Sequence, residues 1–351
     1  MVKLKNDISL ALTLENTFLL KGIAICGMLC WHLFYCANPE GVEFSSFTRW
    51  IGMLGDVCVS LFLFVSGYGL AVSFEKSDKS IGKFVICRFV KFYTNYWFLL
   101  MLLLPVGIFV FNKPITSSTE ILDIAKTLGR EILAISGHQS YNPSWWFNTL
   151  IVQLYILFPL LYFGVKYACV PTVFVAFLLR GALIKISKGV YFNGYIMIFI
   201  LAMVFAIHRK WLFQYFVKIS KWIWVILAMI LLLASILLLT YLDDGHTIYS
   251  KGLYAYMLLT IGIVMLVMFF TFPKYISLAF QFLGKHSMNI YLMHTLIFYY
   301  FFPYFFYSFD SPILIFISLL TICLILSVCI EKMKIVTRYN KLSLNICAKI
   351  R

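Results

Sequence analysis

The stretch FLLKGIAICGMLCWHLFYC, residues 18–36, decides the class of this protein. It is long and apolar enough to cross a lipid bilayer as a helix, which takes about 20 residues. Two ionisable side chains interrupt it, Lys21 and His32, eleven positions apart. At about 100° and 1.5 Å per residue, a helix puts both on one face, with the imidazole roughly 16 Å deeper than the ammonium. This alignment indicates a path for chemistry within the membrane.

Each of the two residues also has a simpler explanation. Lys21 lies near the start of the stretch, where a lysine can extend its ammonium to the lipid headgroups. His32 can serve as a hydrogen-bonding residue between helices. Ionisable residues inside a membrane are costly and usually functional. The choice between these explanations depends on the rest of the chain.

The whole chain has the composition of a polytopic membrane protein. Of its 351 residues 62% are hydrophobic and 12% charged, and its mean hydropathy is +0.93. Continuous apolar runs exclude a transmembrane barrel, whose strands alternate. We therefore predict an all-α integral membrane protein, a bundle of about ten transmembrane helices. The predicted spans lie near residues 17–37, 50–74, 92–111, 146–165, 168–186, 190–207, 222–242, 251–272, 286–305 and 312–330.

The distribution of positive charge predicts the orientation. With the N-terminus inside, the inner segments carry 20 Lys and Arg residues and the outer segments 7. By the positive-inside rule both termini are cytoplasmic. The net charge of +15 is then explained by the membrane orientation and by contact with anionic lipids, and no nucleic-acid partner is expected. The predicted organisation is a cytoplasmic segment 1–16, a membrane domain 17–330 with an outer loop 112–145, and a basic cytoplasmic tail 331–351.

The nine cysteines are scattered and form no Cys-x-x-Cys pair. Cys26 and Cys30 share a helix face, but no histidine or carboxylate completes a set of metal ligands with them. Buried small apolar residues are the better explanation. We expect no metal.

Small and basic residues mark the second and third spans. In the second, Ser66 opens the sequence Ser-Gly-Tyr-Gly, which lets a neighbouring helix or a ligand approach the backbone, although packing seams are the usual role of such residues. In the third, Arg88 and Lys91 stand three positions apart where the span leaves the cytoplasm. Basic residues at a membrane edge normally bind lipid phosphate. If they face inward, they suit the phosphates of a nucleotide-like donor.

Aromatic and titratable residues mark the fourth span and the end of the chain. Trp145 and Trp146 open the fourth span, where aromatic residues often form an interfacial belt. Tyr291 and His294 lie on one helix face in the stretch FLGKHSMNIYLMH, residues 282–294. The outer loop contains His138, and its residues 118–133 are typical of a short amphipathic helix on the membrane surface.

Taken in order, these features resemble the membrane-bound acyltransferase-three family. Its hallmarks are a basic residue, usually Arg, ten residues before a His in the first helix, an SGY/F-type second helix, an RxxR-type start of the third, a WF-L opening of the fourth, and a GxxSxxIYLxH helix near the end. Lys21 and Lys91 stand where arginines are usual. The positive charge is kept, but a lysine cannot make the paired hydrogen bonds of a guanidinium group. Ser60 stands where many members have a more polar or acidic residue. The esterase-like domain fused to some members is not found in this sequence.

The resemblance implies an O-acyltransferase, most often an O-acetyltransferase. It would move acetyl from cytoplasmic acetyl-CoA to a sugar hydroxyl of an envelope glycan or its lipid-linked precursor, in a bacterial plasma membrane. Two routes stay open at His32, because a neutral imidazole can act as a general base or as an acyl carrier. The implied catalytic residues are His32, His294, Tyr291 and Ser66. The implied donor-binding residues are Lys21, Arg88 and Lys91, and the implied sugar contacts are Trp145, Trp146 and His138.

Two other classes of membrane protein compete with this interpretation. A flippase or transporter of lipid-linked glycans typically lines a central cavity with several charges and often has an internal repeat, and we find neither pattern in the sequence. A glycan polymerase normally has a large outer loop with catalytic basic residues, and the loop 112–145 is modest for that role. A purely structural role leaves the alignment of Lys21 and His32 unexplained.

Overall fold

The computed structural model describes residues 12–36, 42–136, 141–186, 190–242 and 253–350. These ranges form fifteen α-helices and contain no strand, which confirms the all-α prediction. The helices are α1 (Leu14–Trp31), α2 (Ser46–Leu54), α3 (Val57–Glu75), α4 (Ile81–Phe109), α5 (Ile121–Ile132), α6 (Trp146–Tyr167), α7 (Cys169–Ile186), α8 (Val190–Phe216), α9 (Lys221–Leu242), α10 (Leu253–Phe269), α11 (Lys274–Lys285), α12 (Ser287–Thr295), α13 (Pro303–Tyr307), α14 (Pro312–Val336) and α15 (Asn340–Lys349). Short π-helical turns extend α1 (His32–Cys36) and α12 (Leu296–Phe301).

Seven helical segments within the described ranges are long and apolar enough to cross a membrane. Two shorter apolar helices, Cys169–Leu178 and Tyr254–Phe269, lie where two further spans are expected. The multi-pass class follows, while the count of about ten and the orientation stay predictions. The seven segments are Leu14–Cys36, Ser46–Glu75, Ile81–Phe109, Pro143–Tyr167, Tyr195–Phe216, Lys221–Tyr241 and Pro312–Val336.

The chain divides into two compact units. The first consists of the described residues of Met1–Tyr35, Ser46–Glu75 and Leu161–Ser287, and the second of those of Cys36–Ser45, Lys76–Leu160 and Met288–Arg351. Each unit has its own helix packing and its own candidate residues.

In the first unit, α1 and α11 pack with their backbones in direct approach. A Cβ atom at Gly22 would lie 2.1 Å from the Phe280 carbonyl oxygen, and one at Gly284 would lie 1.9 Å from the Phe18 carbonyl oxygen. Only glycine allows this approach from both sides, as is common where membrane helices cross. The crossing fixes the neighbours of the N-terminal half of α1.

The Ser-Gly-Tyr-Gly sequence lies in a second close approach of the first unit. Gly67 on α3 faces the Phe199 backbone of α8, where a Cβ atom would lie 2.6 Å from the carbonyl oxygen. The rings of Tyr68 and Phe205 pack beside it with centroids 5.8 Å apart. In this structure the small residue of α3 therefore serves helix packing, which is the usual role of such residues.

In the second unit, three aromatic side chains of α4 hold the carboxyl end of α5. The hydroxyls of Tyr93 and Tyr96 and the indole N–H of Trp97 donate to three successive carbonyl oxygens, those of residues 133, 131 and 132, at 2.7, 2.8 and 2.8 Å. The last carbonyls of a helix have no partner within it, so these donors satisfy them. The helix predicted within residues 118–133 is thereby anchored to a span.

Side chains far apart in sequence also join around Lys334, which is 2% exposed on α14. Its ammonium donates to Glu331 Oε1 at 2.8 Å, to Asn95 Oδ1 at 3.0 Å and to Asn289 Oδ1 at 3.3 Å. The network ties α4, α12 and α14 together. The basic tail that follows forms α15, whose Cys347 carbonyl accepts a hydrogen bond from Lys79.

Candidate functional site

His32 stands where α1 passes into its π-helical turn. The helix begins after Thr13, whose side chain accepts the Asn16 backbone N–H at 3.1 Å. The Nδ1 atom of His32 lies 2.9 Å from the Met28 carbonyl oxygen. A carbonyl oxygen only accepts, so Nδ1 carries the proton of this bond. In the neutral ring the lone pair is therefore on Nε2, the atom that a general base or nucleophile uses.

Lys21 lies three turns before His32 on the same helix, beside a second lysine. The Lys21 ammonium is 5.8 Å from the centroid of the Phe18 ring, and the Lys285 ammonium is 5.8 Å from the same centroid. The close crossing of α1 and α11 brings these two cations to one ring. Sequence reasoning missed Lys285, although it stands in the GKHS part of the stretch that includes His294.

The other predicted residues of the second and third spans have different surroundings. Ser66 is half-buried on α3 of the first unit, and Ser60, on the same helix, is fully buried with no hydrogen-bond partner for its hydroxyl among the described residues. On α4 of the second unit, the Arg88 guanidinium lies 4.7 Å from the centroid of the Phe84 ring, and Lys91 is exposed.

The start of α6 and the helix α12 meet in a cluster of hydrogen bonds in the second unit. The Tyr291 hydroxyl donates to the Ser144 carbonyl oxygen at 2.9 Å. The Trp145 indole N–H donates to the Leu292 carbonyl oxygen at 2.9 Å. Two sequence features 147 positions apart, the Trp-Trp opening and the Tyr-Leu-Met-His helix, are thus joined directly.

His294 lies in this cluster, fully buried, with its protonation tied to neighbouring hydroxyls. Its Nδ1 atom lies 2.8 Å from the Tyr291 carbonyl oxygen and its Nε2 atom 2.9 Å from Thr295 Oγ1. Thr295 Oγ1 is also 3.0 Å from Ser144 Oγ, which lies 2.9 Å from Asn142 Oδ1. This chain of contacts passes from the ring through two hydroxyls to an amide oxygen.

The count of protons in this chain defines what it can do. Nδ1 of His294 must donate, because its partner is a carbonyl. If the single hydroxyl proton of Thr295 points to Nε2, the ring can be neutral. If that proton points to Ser144, the contact at Nε2 is a hydrogen bond only when the ring is protonated. Thr295 and Ser144 are functional candidates that sequence reasoning missed.

The three predicted sugar contacts differ in their exposure. Trp145 is 2% exposed and packs edge-on against Tyr96, with ring centroids 5.8 Å apart. Trp146 is half-buried. His138 lies outside the described residues. The accessible ring of this pair is therefore that of Trp146.

One further acidic residue belongs to the membrane region. Asp56 lies between α2 and α3, within the span Ser46–Glu75, and is half-buried. An ionisable side chain inside a membrane span is energetically costly, and this cost alone makes Asp56 a functional candidate. Sequence reasoning missed it, since it looks like a turn residue between two apolar runs.

Glu131 of α5 is a buried carboxyl group outside the spans. It is fully buried and accepts hydrogen bonds from the Tyr141 backbone N–H and from the Tyr96 hydroxyl. Burial raises its pKa above the ordinary value. The folded protein therefore keeps the proton over a pH range in which the unfolded chain has released it. Its contribution to stability is full below the ordinary pKa and is lost as pH rises through the folded pKa.

We expect Glu131→Gln to remove this pH dependence while it keeps an acceptor for Tyr141. The gain in thermal midpoint over the wild type should be larger at pH 8 than at pH 5, measured by unfolding of the detergent-solubilised protein. Glu120→Gln, at an exposed carboxylate before α5, is the matched control and should show no such difference. Equal gains for Glu131→Gln at both pH values would contradict the assignment.

The comparisons with known proteins agree with the sequence features. A family model described as an acyltransferase domain, of the acyltransferase-3 type, matches residues 19–332. No curated protein and no solved structure matches this chain significantly. The family match begins within α1, before Lys21, and ends within α14, and it confirms the resemblance. The chain belongs to the acyltransferase-3 family and is a multi-pass membrane acyltransferase.

Proposed function

We propose that this acyltransferase is an O-acetyltransferase of the bacterial plasma membrane. It transfers acetyl from cytoplasmic acetyl-CoA to a sugar hydroxyl of an envelope polysaccharide or of its lipid-linked precursor. The observation that carries the proposal is the Nδ1–H bond from His32 to the Met28 carbonyl, 2.9 Å long. It fixes the ring and places the lone pair of the neutral imidazole on Nε2.

This tautomer serves both chemical routes. As a general base, Nε2 takes the hydroxyl proton while the sugar oxygen attacks the thioester carbonyl. The tetrahedral intermediate then expels the CoA thiolate, which takes up a proton, and the products are the acetyl ester and CoA. As an acyl carrier, Nε2 itself attacks the thioester and expels the CoA thiolate, which takes up a proton. The sugar oxygen then takes the acetyl group from Nε2 in a second step, and its proton is released as the neutral imidazole leaves.

The donor site is proposed at the cations of α1 and α11. Lys21 and Lys285 concentrate positive charge around Phe18. Acyl-CoA carries phosphates that such ammonium groups bind as point charges. Arg88 and Lys91 of α4 are donor-binding residues that the family resemblance implies, and we keep them as part of the proposal.

On the acceptor side we propose a supporting role for the cluster around His294. Its hydroxyls and imidazole can donate hydrogen bonds, as groups that stabilise an oxyanion do. Tyr291 is proposed to hold the start of α6, and Ser66 to donate a hydrogen bond to the reacting groups. Trp146 offers a ring on which a sugar can stack, and His138 and Trp145 complete the proposed acceptor contacts.

The proposed topology follows the charge bias. Both termini are placed in the cytoplasm, with residues 112–145 outside. Lys21 then lies near the inner surface, where acetyl-CoA is available, and His32 lies deeper along the same helix. Membrane lipids are the other partners, and the basic residues of 331–351 are placed against the anionic inner leaflet.

The test is the acetate content of envelope glycans, released by mild alkali from cells that express the wild type or His32→Ala at matched membrane levels. We expect ester-linked acetate only with the wild type. Unchanged acetate together with altered glycan export or chain length would overturn the proposal in favour of a transporter or a polymerase.

Lys285 provides a sharper test of the donor site. We expect Lys285→Gln and Lys21→Gln each to raise the KM for acetyl-CoA several-fold with a smaller change in kcat, because a cation that binds donor phosphate acts before the chemical step. Lys274→Gln, at the opposite end of α11, should leave KM unchanged. The measurement is transfer from labelled acetyl-CoA in membrane vesicles. A fall in kcat at unchanged KM for both variants would contradict donor binding.

A further inference from the structure

A cavity of about 440 Å³ opens in the second unit beside α5. Its wall includes the segment that follows α4, with Lys113 and Thr116, and the side of α5 that carries Thr127 and Arg130. Tyr141 and Tyr300 close it from the other side. Its volume lies within the range of small-molecule sites, about 300–1,000 Å³. The charge bias predicts that this segment lies outside the cell.

The cavity carries two cations and no carboxylate among its described lining residues. The Lys113 ammonium lies 3.7 Å from the centroid of the Tyr300 ring and 4.6 Å from that of Tyr141. Two ring faces at this distance hold an ammonium in place. Arg130 adds a guanidinium on the last turn of α5.

The two carboxyl groups of α5 near the cavity have partners within the protein. Asp123 lies 3.6 Å from the Lys126 ammonium and accepts a hydrogen bond from Ser118. Glu131 accepts hydrogen bonds from the Tyr141 backbone N–H and the Tyr96 hydroxyl, and it also interacts electrostatically with Lys113. Burial raises the pKa of the Glu131 carboxyl, which weakens it as a counter-charge for the cavity.

Hydroxyl groups surround the cations. Thr116, Ser117 and Thr127 line the cavity. Tyr141 is 2% exposed, and its hydroxyl has no hydrogen-bond partner among the described residues. Burial raises the pKa of Tyr141 to about 12, so this phenol is a hydrogen-bond donor at neutral pH. A buried donor without a partner is costly, and this hydroxyl lies beside Gly107 near the end of α4.

Burial also lowers the pKa of Lys113. The cost of holding an ammonium among aromatic rings is offset when an anion binds beside it. A phosphate carries up to two negative charges and several acceptor oxygens, which match two cations and several hydroxyl donors better than a carboxylate does.

We propose that the cavity bounded by Lys113, Arg130, Tyr141 and Tyr300 binds a phosphate group carried on a hydroxyl-rich molecule. Lys113 and Arg130 bind the phosphate oxygens, and the threonine, serine and tyrosine hydroxyls bind the remainder. Two sources have this chemistry, the glycerophosphate headgroup of a lipid and a sugar phosphate. The site is inferred from this cavity alone and needs no acyl transfer. Only its identification as part of the acceptor site would rest on the proposed function.

The experiment measures binding with the full chain in phosphatidylcholine nanodiscs. One arm titrates glucose 1-phosphate by calorimetry, with glucose as the neutral probe. The other arm measures retention of phosphatidylglycerol by native mass spectrometry. The variants are Lys113→Gln and Arg130→Gln. Lys126→Gln, which removes an exposed cation of α5 outside the cavity, is the matched control. Lys113→Arg keeps the charge and tests whether the site is still folded.

We expect at least one phosphate probe to bind saturably and glucose to bind weakly or not at all. Lys113→Gln and Arg130→Gln should each weaken that binding about tenfold or more, as for a lost hydrogen bond to a charged group. Lys126→Gln should leave binding unchanged, and Lys113→Arg should retain most of it. Binding of glucose 1-phosphate identifies a sugar phosphate, and binding of phosphatidylglycerol alone identifies a lipid headgroup. No saturable binding in either arm, or binding equal in all variants, overturns the proposal. Because neither arm requires turnover, this failure is distinct from a failure of the acetyltransferase proposal.

Discussion

Replacing His32 by alanine is expected to lower acetyl transfer about 10²-fold or more, with the largest effect on kcat. The reason is that Nε2 of this ring is the proposed proton acceptor or acyl carrier, and general bases typically contribute 10²–10⁴-fold. The measurement is the rate of transfer from labelled acetyl-CoA to envelope glycan in membrane vesicles. The Nδ1 contact with Met28 predicts that a replacement without a ring nitrogen at the Nε2 position cannot restore the rate.

His208→Ala is the matched control for this prediction. His208 lies on α8 of the same unit, and its Nε2 atom is buried without a hydrogen-bond partner among the described residues. His208→Ala removes the same side chain from a position with no proposed catalytic role. The rate of transfer should therefore stay within about threefold of the wild-type rate, a small change beside the loss of a catalytic group. Full activity of His32→Ala at equal expression would contradict the assignment.

The two routes through His32 differ in one observable. An acyl carrier exchanges label between acetyl-CoA and free CoA when acceptor is withheld, because the acetyl group can return from the ring to a CoA thiol, whereas a general base does not. Exchange that is present in the wild type and lost in His32→Ala assigns the carrier route. Exchange that is absent while the wild type turns over normally assigns the base.

Replacing Lys334 by methionine is expected to cost about 3 kcal/mol of stability. The change removes an ammonium that donates to Glu331, Asn95 and Asn289, and it leaves those acceptors without it. Breaking a buried ion pair costs about 3–5 kcal/mol. We take the lower end, because the Glu331 side chain is 42% exposed and water can solvate it. The measurement is unfolding of the solubilised protein, followed by its helical circular dichroism.

Two further variants separate charge from packing at this site. Lys332→Met changes an exposed lysine two positions away on α14 and should alter stability by less than about 0.5 kcal/mol. In the double variant Lys334→Met with Glu331→Gln, the uncompensated carboxylate is also removed, so part of the lost stability should return. A loss for Lys334→Met no larger than that for Lys332→Met would show that the network adds nothing to stability.

Some of the site could be predicted from residues close together in sequence. The pair Lys21 and His32 needs only helical geometry, and the structure places both on one continuous helix extended by a π-helical turn. The amphipathic helix of the loop was also predictable from its period. The structure starts it at Ile121 rather than Ser118, because Ser118 uses its hydroxyl to bind Asp123 and the Glu120 backbone N–H.

Other parts of the site depend on residues that no local pattern connects. Thr295 and Ser144 are 151 positions apart, yet their hydroxyls are in contact with each other, and that of Thr295 also contacts the His294 ring. Lys285 joins Lys21 only because glycines let α11 approach α1 closely. Sequence reasoning gave Trp145 a role as a sugar contact, and the structure buries its ring and uses its N–H to hold α12. The role in sugar binding stays a prediction.

The sequence by itself determined the membrane class, the all-helical fold and the helix that carries Lys21 and His32. These properties depend on hydrophobicity and helical period, which consecutive residues express without any partner. The acyltransferase family was indicated by a resemblance in the order of short motifs, which the family match confirms. The tertiary structure alone decided which side chains meet: the two lysines at Phe18, the hydroxyls beside His294, the partners of Lys334 and the cationic cavity beside α5. Each of these contacts joins groups distant in the chain, and their geometry is set by helix packing rather than by local propensity.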